Sequence, residues 1–406
     1  MLKKVLAIAV ALVLCIGVMA GCSGTSEEGF TEVAKEDLKI GLITLHDDSS
    51  TYDKNFIDAM YRALDNLGLS KDQLVMFTGI DESEACYNKA KECVNQGCQV
   101  IFADSFGHED YMIQAAKEFK NVHFCHATGT KAHTVDLANY SNAFASIYEG
   151  RYAAGIAAGM KLNEMIEAGK ITADQAVMGY VGAYTYAEVM SGYTSFYLGA
   201  KSVCPSVTMK VKFTGSWYDY DKEKAAAEAL ISEGCVLISQ HADSYGAPEA
   251  CQAAGVPNVT YNVSTESVGP DTYLIYSKID WTPYFEYMIQ QTIAGEEIAK
   301  DWTGTVATGS VVVGNINSAV AAEGTEAAVE AAVAAFKAGT LHVFDTATFT
   351  VGGETLTSYL ADVDYDDAYT KDTEVIKDGY FHESEYRSGP YFDIEIDGIT
   401  LLDRAY

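Results

Sequence analysis

Short apolar runs alternate with stretches of helical spacing along most of this chain, and the alternation runs through twice. Residues 39–45 form a first apolar run ending in polar residues. Phe56, Met60, Ala63, Leu64 and Leu67 then share one helical face, and the pattern stops at Gly68. Residues 74–77, 100–103 and 122–126 read as strands, and 82–96 and 110–119 as helices. The pattern restarts after Ile171. Strands are expected at 177–181, 207–213, 236–239, 259–261 and 273–276, with helices at 187–200, 221–233 and 247–254. Parallel strands cannot be joined by a tight turn; each needs a crossover, usually a helix. Two successive βα series therefore predict an α/β chain with two doubly wound parallel-sheet lobes. In such sheets ligands bind beyond the carboxyl ends of the strands, so two facing lobes make a cleft.

The segment between the series, 149–165, carries Ala153, Ala154, Gly155, Ala157, Ala158 and Gly159, which predicts a helix packed closely on a sheet. A helix at 284–294, a strand at 310–313 and an Ala/Glu-rich surface helix at 325–338 follow. Beyond residue 346 lie an acidic run, 362–367, and a hairpin-like pattern at 391–396 before Asp397 and Gly398. The acidic run lacks the Gly and Glu offsets of a calcium-binding loop and reads as a solvated face.

The amino terminus is a targeting segment. Lys3 and Lys4 precede an apolar run from Val5 to Met19, then Ala20, Gly21 and Cys22. The run is too short for a spanning helix. Its end resembles a bacterial lipobox, with Met19 where Leu is more usual, so Cys22 is expected as the lipidated first residue of the mature chain. Residues 23–36 read as a flexible tether. Acidic residues outnumber basic ones 57 to 27, for a net charge of -30. That argues against nucleic acid as a partner and offers nothing to anionic lipid. Seven cysteines remain beyond Cys22: Cys86, Cys93, Cys98, Cys125, Cys204, Cys235 and Cys251. The count is odd and no CxxC occurs, so most are expected as buried thiols, with one disulfide left open.

The loops after the strands can be read one by one. Tyr52 and Asp53 follow the first strand, and Asp104, Ser105, Phe106 and Gly107 follow the third. In the second series come Tyr184 and Glu188, then Trp217 to Asp219, then His241 and Asp243, and finally Asp280 and Trp281. Most strand ends thus pair an aromatic ring with a carboxylate or other polar group. Rings of this kind stack on a flat heteroaromatic ligand, and carboxylates accept its N–H and O–H donors. Asp219 and Asp221 read more simply as helix caps. His108, His123, His126 and His133 fit no zinc spacing. No GxSxG, P-loop, HExxH or GxGxxG motif is present, so neither catalysis, metal nor cofactor is expected.

Several of these stretches resemble the basic membrane protein (BMP/PnrA-like) family: residues 101–107, 126–129, 148–152, 215–219 with Lys222 and Glu223, 240–244 and 280–284. The resemblance spans about residues 38–344. It implies a type I periplasmic-binding-protein fold around a hinged cleft, in a lipid-anchored substrate-binding component of an ABC importer. The implied lobes are 37–145 with about 281–305, and 146–280 with about 306–345, leaving 346–406 as a C-terminal extension. Trp217 with Gln240 and His241 is similar to the branch that binds purine bases or nucleosides. The resemblance implies stacking by Phe106 and Trp217 and polar contacts from Asp53, His241, Asp243 and Asp280. It also implies a permease partner. The loop 184–188 and the long tail depart from the family's usual form. Two other classes remain open: a ligand-sensing subunit of a membrane signalling protein, and a secreted nucleoside hydrolase using Asp53 and Asp243.

Overall fold

The structure, a computed structural model, describes residues 30–363 and 370–406. The lipobox Cys22, the tether up to residue 29 and residues 364–367 of the acidic run lie outside the described residues.

The first series is β1 (Ile40–Ile43), α1 (Thr51–Leu67), β2 (Leu74–Phe77), α2 (Glu84–Asn95), β3 (Val100–Ala103), α3 (Glu109–Glu118), β4 (His123–Ala127) and β5 (Tyr140–Ala145). The helix α4 (Ile147–Glu167) leads to β6 (Val177–Gly182), α5 (Ala187–Val203), β7 (Thr208–Phe213) and α6 (Tyr220–Ser232). Then come β8 (Leu237–His241), α7 (Gly246–Ala254), β9 (Asn258–Tyr261) and β10 (Tyr273–Ile279). The chain continues through α8 (Thr282–Ala294), β11 (Asp301–Gly304), β12 (Val311–Val313) and α9 (Thr325–Lys337). The tail holds β13 (Leu360–Ala361), β14 (Thr373–Glu374), β15 (Ile376–Lys377), β16 (Tyr380–Phe381) and β17 (Ile399–Leu401).

The first sheet has the order β11-β5-β4-β3-β1-β2, parallel throughout. The second has the order β12-β10-β9-β8-β6-β7-β17, parallel except for β12 against β10. The chain passes between the sheets after β5, after β10 and after β11. Each sheet reverses its strand order beside its first strand, at β1/β3 and at β6/β8. These are the switch points at which adjacent loops diverge and leave room for a ligand.

Local sequence explains the helix limits. Ser50 caps α1 by accepting the Asp53 N–H, and Gly68 ends the helix at φ 62°. Asp219 caps α6, as its sequence position suggested. Among the strands that escaped the sequence reading, β5 (YSNAFA) and β11 (DWTG) lack an apolar run. Their polar groups are matched by tertiary partners: Asn142 donates to Glu109 at 3.1 Å and Ser141 to the Ile298 carbonyl at 3.2 Å.

Three further expectations are refined or corrected. The helix α4 packs on β10 and β12 as expected, and its small residues also serve a helix–helix crossing with α5. A Cβ on Gly155 would overlap the Phe196 carbonyl oxygen, and one on Gly199 the Tyr152 carbonyl oxygen. The helix α9 is not fully solvated: Val329, Ala332 and Phe336 are buried, with Phe336 edge-on to Tyr152. No hairpin forms at 391–396. Phe392 stacks on Phe344 at 4.2 Å, and the strand that follows, β17, joins β7. All seven described cysteines are buried and free.

Gly199→Val should destabilise the protein by about 1–3 kcal/mol or more, the usual range for overpacking. Urea unfolding checks it; an unchanged midpoint would contradict so close a crossing of α4 and α5.

Candidate functional site

The loops at the two switch points line a narrow cavity between the lobes, the place where ligands bind in sheets of this kind. Tyr52, Asp53, Phe106, Glu188, Trp217, His241 and Asp243 all line it.

On the first lobe, Asp53 sits in the first turn of α1 and is saturated by local donors. Its carboxylate accepts from His46 N at 2.7 Å and from Ser50 Oγ at 2.5 Å, with His46 Nδ1 at 3.3 Å. Burial pushes its pKa up, but the bonds from His46 and Ser50 outweigh this and hold it below the usual range. Asp104, at the end of β3, goes the other way. Burial and then the neighbouring Asp53 charge drive its carboxyl far up. The two carboxyls are thus pushed apart, Asp53 towards the charged form and Asp104 towards the neutral one. Tyr52 donates to the Asp104 carbonyl at 2.8 Å. Phe106 is aimed by its loop: Glu82 accepts from Ser105 Oγ at 2.6 Å and Gly107 N at 2.7 Å. A Cβ on Gly107 would stand 2.7 Å from the Glu82 carboxyl carbon, so this tight loop needs glycine.

On the second lobe, Trp217 is held by its carbonyl, which accepts from Asp243 N at 3.0 Å. Glu188, in the first turn of α5, places Oε1 3.4 Å from His241 Nε2. Burial lowers the His241 pKa despite Glu188, so the ring is neutral at pH 7. Asp243 accepts from Asn262 Nδ2 at 3.1 Å. Burial, then Glu223, Asp53 and Glu188, raise its pKa well above a normal aspartate. Beneath this wall lies Arg151, fully buried, its guanidinium 4.6 Å from the Tyr261 ring. It donates to the Gln240 carbonyl at 2.5 Å and to the Tyr180 hydroxyl.

The lobes meet at the amino end of α1. Thr51 N donates to the Asp243 carbonyl at 2.9 Å. Asn55 Nδ2 reaches Asn262 Oδ1 at 3.4 Å, and Phe106 lies 5.6 Å from Tyr186. This is a closed arrangement.

Three of the residues singled out in the sequence do not line the cavity. Tyr184 stands behind it, edge-on to Trp217 at 5.1 Å and stacked on Tyr186. Asp280 pairs with Arg62 at 3.0 Å and accepts from Thr282 N at 3.0 Å, at a crossing between the lobes. Trp281 is 1% exposed and stacks on Phe56 at 4.4 Å in the core. Ser105, read from the sequence as part of the loop after the third strand, lines the cavity too, and Leu45, His46, Thr128 and Tyr261 do so without having been singled out. Of these, Tyr261 ends β9, a strand end that the sequence pattern did mark. Among the described residues no group of three His, Cys, Asp or Glu side chains is placed to hold a metal. Among the described residues no lysine or arginine lines the cavity.

The family model described as ABC transporter substrate-binding protein PnrA-like matches residues 40–332. The chain belongs to this family. It is an ABC-transporter substrate-binding protein, one of a family of extracytoplasmic proteins that bind small molecules and a permease, not an enzyme. It is 34% identical over 255 residues to a purine-binding protein of Brucella abortus, covering 62% of this chain and 68% of that one. It is also 34% identical over 210 residues to a putative ABC transporter glucose-binding protein of Haloferax volcanii, covering 52% and 50%. The fold is that of solute-binding proteins: the structure from Aeropyrum pernix aligns with a TM-score of 0.62 at 14% identity, over 78% of this chain and 94% of that one. Among the described residues no helix is long and apolar enough to cross a membrane.

Asp243→Asn should raise the melting temperature of the ligand-free protein. A carboxyl whose folded pKa is raised takes up a proton on folding, so its cost to stability grows as pH rises above the unfolded value. Melting curves between pH 4 and 8 should show the gain of the variant widening with pH. A gain that is constant or shrinks with rising pH would contradict the raised pKa.

Proposed function

We propose that this chain captures a purine base or nucleoside in the cavity between its lobes and hands it to a membrane permease for import. In this reading Cys22 carries the lipid that holds the protein on the outer face of the membrane. What carries the reading is the convergence, in one cavity between the lobes, of Phe106 from one lobe and Trp217 from the other with carboxylates and, among the described residues, no lysine or arginine. Two aromatic faces suit a planar heterocycle, each pair contributing roughly 0.5–1.5 kcal/mol beyond burial. The acidic lining suits N–H and ribose O–H donors and repels phosphate. The Brucella relative supports the same ligand class. Closure over the ligand removes it from water and makes ligand binding and lobe closure one linked equilibrium.

A thermal-shift screen of nucleobases, nucleosides, flavins, glucose and other sugars tests this. A purine should give the largest stabilisation; stabilisation by sugars alone rejects the proposal. Trp217→Ala should weaken purine binding at least about tenfold, which is 1.4 kcal/mol. Tyr184→Ala, which only backs Trp217, should cost less. Calorimetric titration separates the two, and equal losses would remove the distinction between them.

A further inference from the structure

The matched family region ends at residue 332, yet the chain continues and wraps over both lobes. On the first lobe, Ser388 donates its N–H at 2.9 Å and its hydroxyl at 2.8 Å to Asp301 Oδ1, in β11. His133 approaches the other oxygen of Asp301 at 3.0 Å, and its Nε2 reaches the Val363 carbonyl at 2.9 Å. Gly389 lies flat on the backbone beside the cavity: a Cβ there would stand 2.8 Å from the Gly129 carbonyl oxygen.

A few residues further on, the same segment is bound to the second lobe. β17 runs parallel to β7 at the sheet edge. Asp403 accepts from Phe213 N at 2.7 Å and Lys212 Nζ at 2.9 Å. Ala405 exchanges two bonds with Thr185: Thr185 N donates to the Ala405 carbonyl at 2.7 Å, and Ala405 N donates to Thr185 Oγ1 at 3.0 Å. Thr185 lies between Tyr184 and Tyr186, the stacked rings that meet Trp217 and face Phe106.

We propose that the C-terminal segment is a latch across the binding cleft: Ser388 and Gly389 anchor it to one lobe, and 399–405 anchor it to the other while pinning the Tyr184–Tyr186 loop behind Trp217. The three covalent crossings let the lobes rotate apart. Beside the bonds at the amino end of α1, the latch adds a further non-covalent connection, so opening has to break one of its anchors. It does not touch the ligand; it sets how readily the cleft opens and how firmly the aromatic wall stands. Thr185 is its positioning residue.

The latch itself needs only the two-lobed cleft, whereas its effect on release rests on the purine reading. Two measurements on the mature protein keep these apart. Small-angle scattering of the ligand-free protein should give a larger radius of gyration for a chain ending at residue 398 than for the full chain, despite its shorter length. Equal or smaller values overturn the latch. Should the shortened chain fail to fold by circular dichroism, Asp403→Ala, which removes both bonds at that anchor, takes its place with the same criterion. Adenosine release followed by stopped-flow tryptophan fluorescence should be about tenfold faster in Thr185→Val, which lacks the hydroxyl acceptor, and restored in Thr185→Ser. Release as slow in Thr185→Val as in wild type, or no rescue by serine, overturns the positioning role. If wild type binds no adenosine, the purine reading fails and scattering alone decides the latch.

Discussion

Parallel strands cannot turn back on themselves, and this constraint shapes everything else in the molecule. Each crossover helix returns the chain to the same end of the sheet, so all loops that follow strands gather on one rim. Where the strand order reverses, at β1/β3 and again at β6/β8, neighbouring loops part. The two reversals face each other here. Asp53, Phe106, Glu188, His241 and Asp243 share a cavity because each lies just past a strand that flanks a reversal, although they are far apart in sequence.

The cavity is electrostatically costly. Asp104 and Asp243 are pushed towards the neutral form by burial and by carboxylate neighbours, while Asp53 keeps its charge through His46 and Ser50. Arg151, deep under Tyr261, is a nearby cation, yet it donates to a carbonyl and a hydroxyl. Such arrangements oppose stability in the empty protein and are relieved when a ligand supplies donors. A receptor that must release its cargo benefits from an empty state that is not at its energetic optimum.

Position along a strand end was a good guide to the cavity where the loop was short. It misled at Asp280 and Trp281, where the motif sits at a crossing between lobes. There Arg62 of α1 claims the carboxylate and Phe56 claims the indole. It also misled at Tyr184, whose ring packs edge-on against Trp217 instead of lining the cavity. His46 was missed because nothing in a lone polar residue tells which way its loop turns. Thr128 adopts φ 65°, a left-handed conformation that no propensity of threonine suggests.

Periodic spacing of apolar residues was enough to establish two βα series, their helices to within a few residues at most ends, and the rim on which a ligand site had to lie. These are local properties: each helix or strand announces its buried face through its own repeat. The strands β5 and β11, the α4–α5 crossing, the carboxyl protonation pattern and the path of the tail over both lobes were not legible in this way. They depend on partners distant in the chain, such as Glu109 for Asn142, Asp301 for Ser388 and Thr185 for Ala405. A hydrogen bond or a buried charge acquires its energy from what packs against it, and that is known only once the chain has folded.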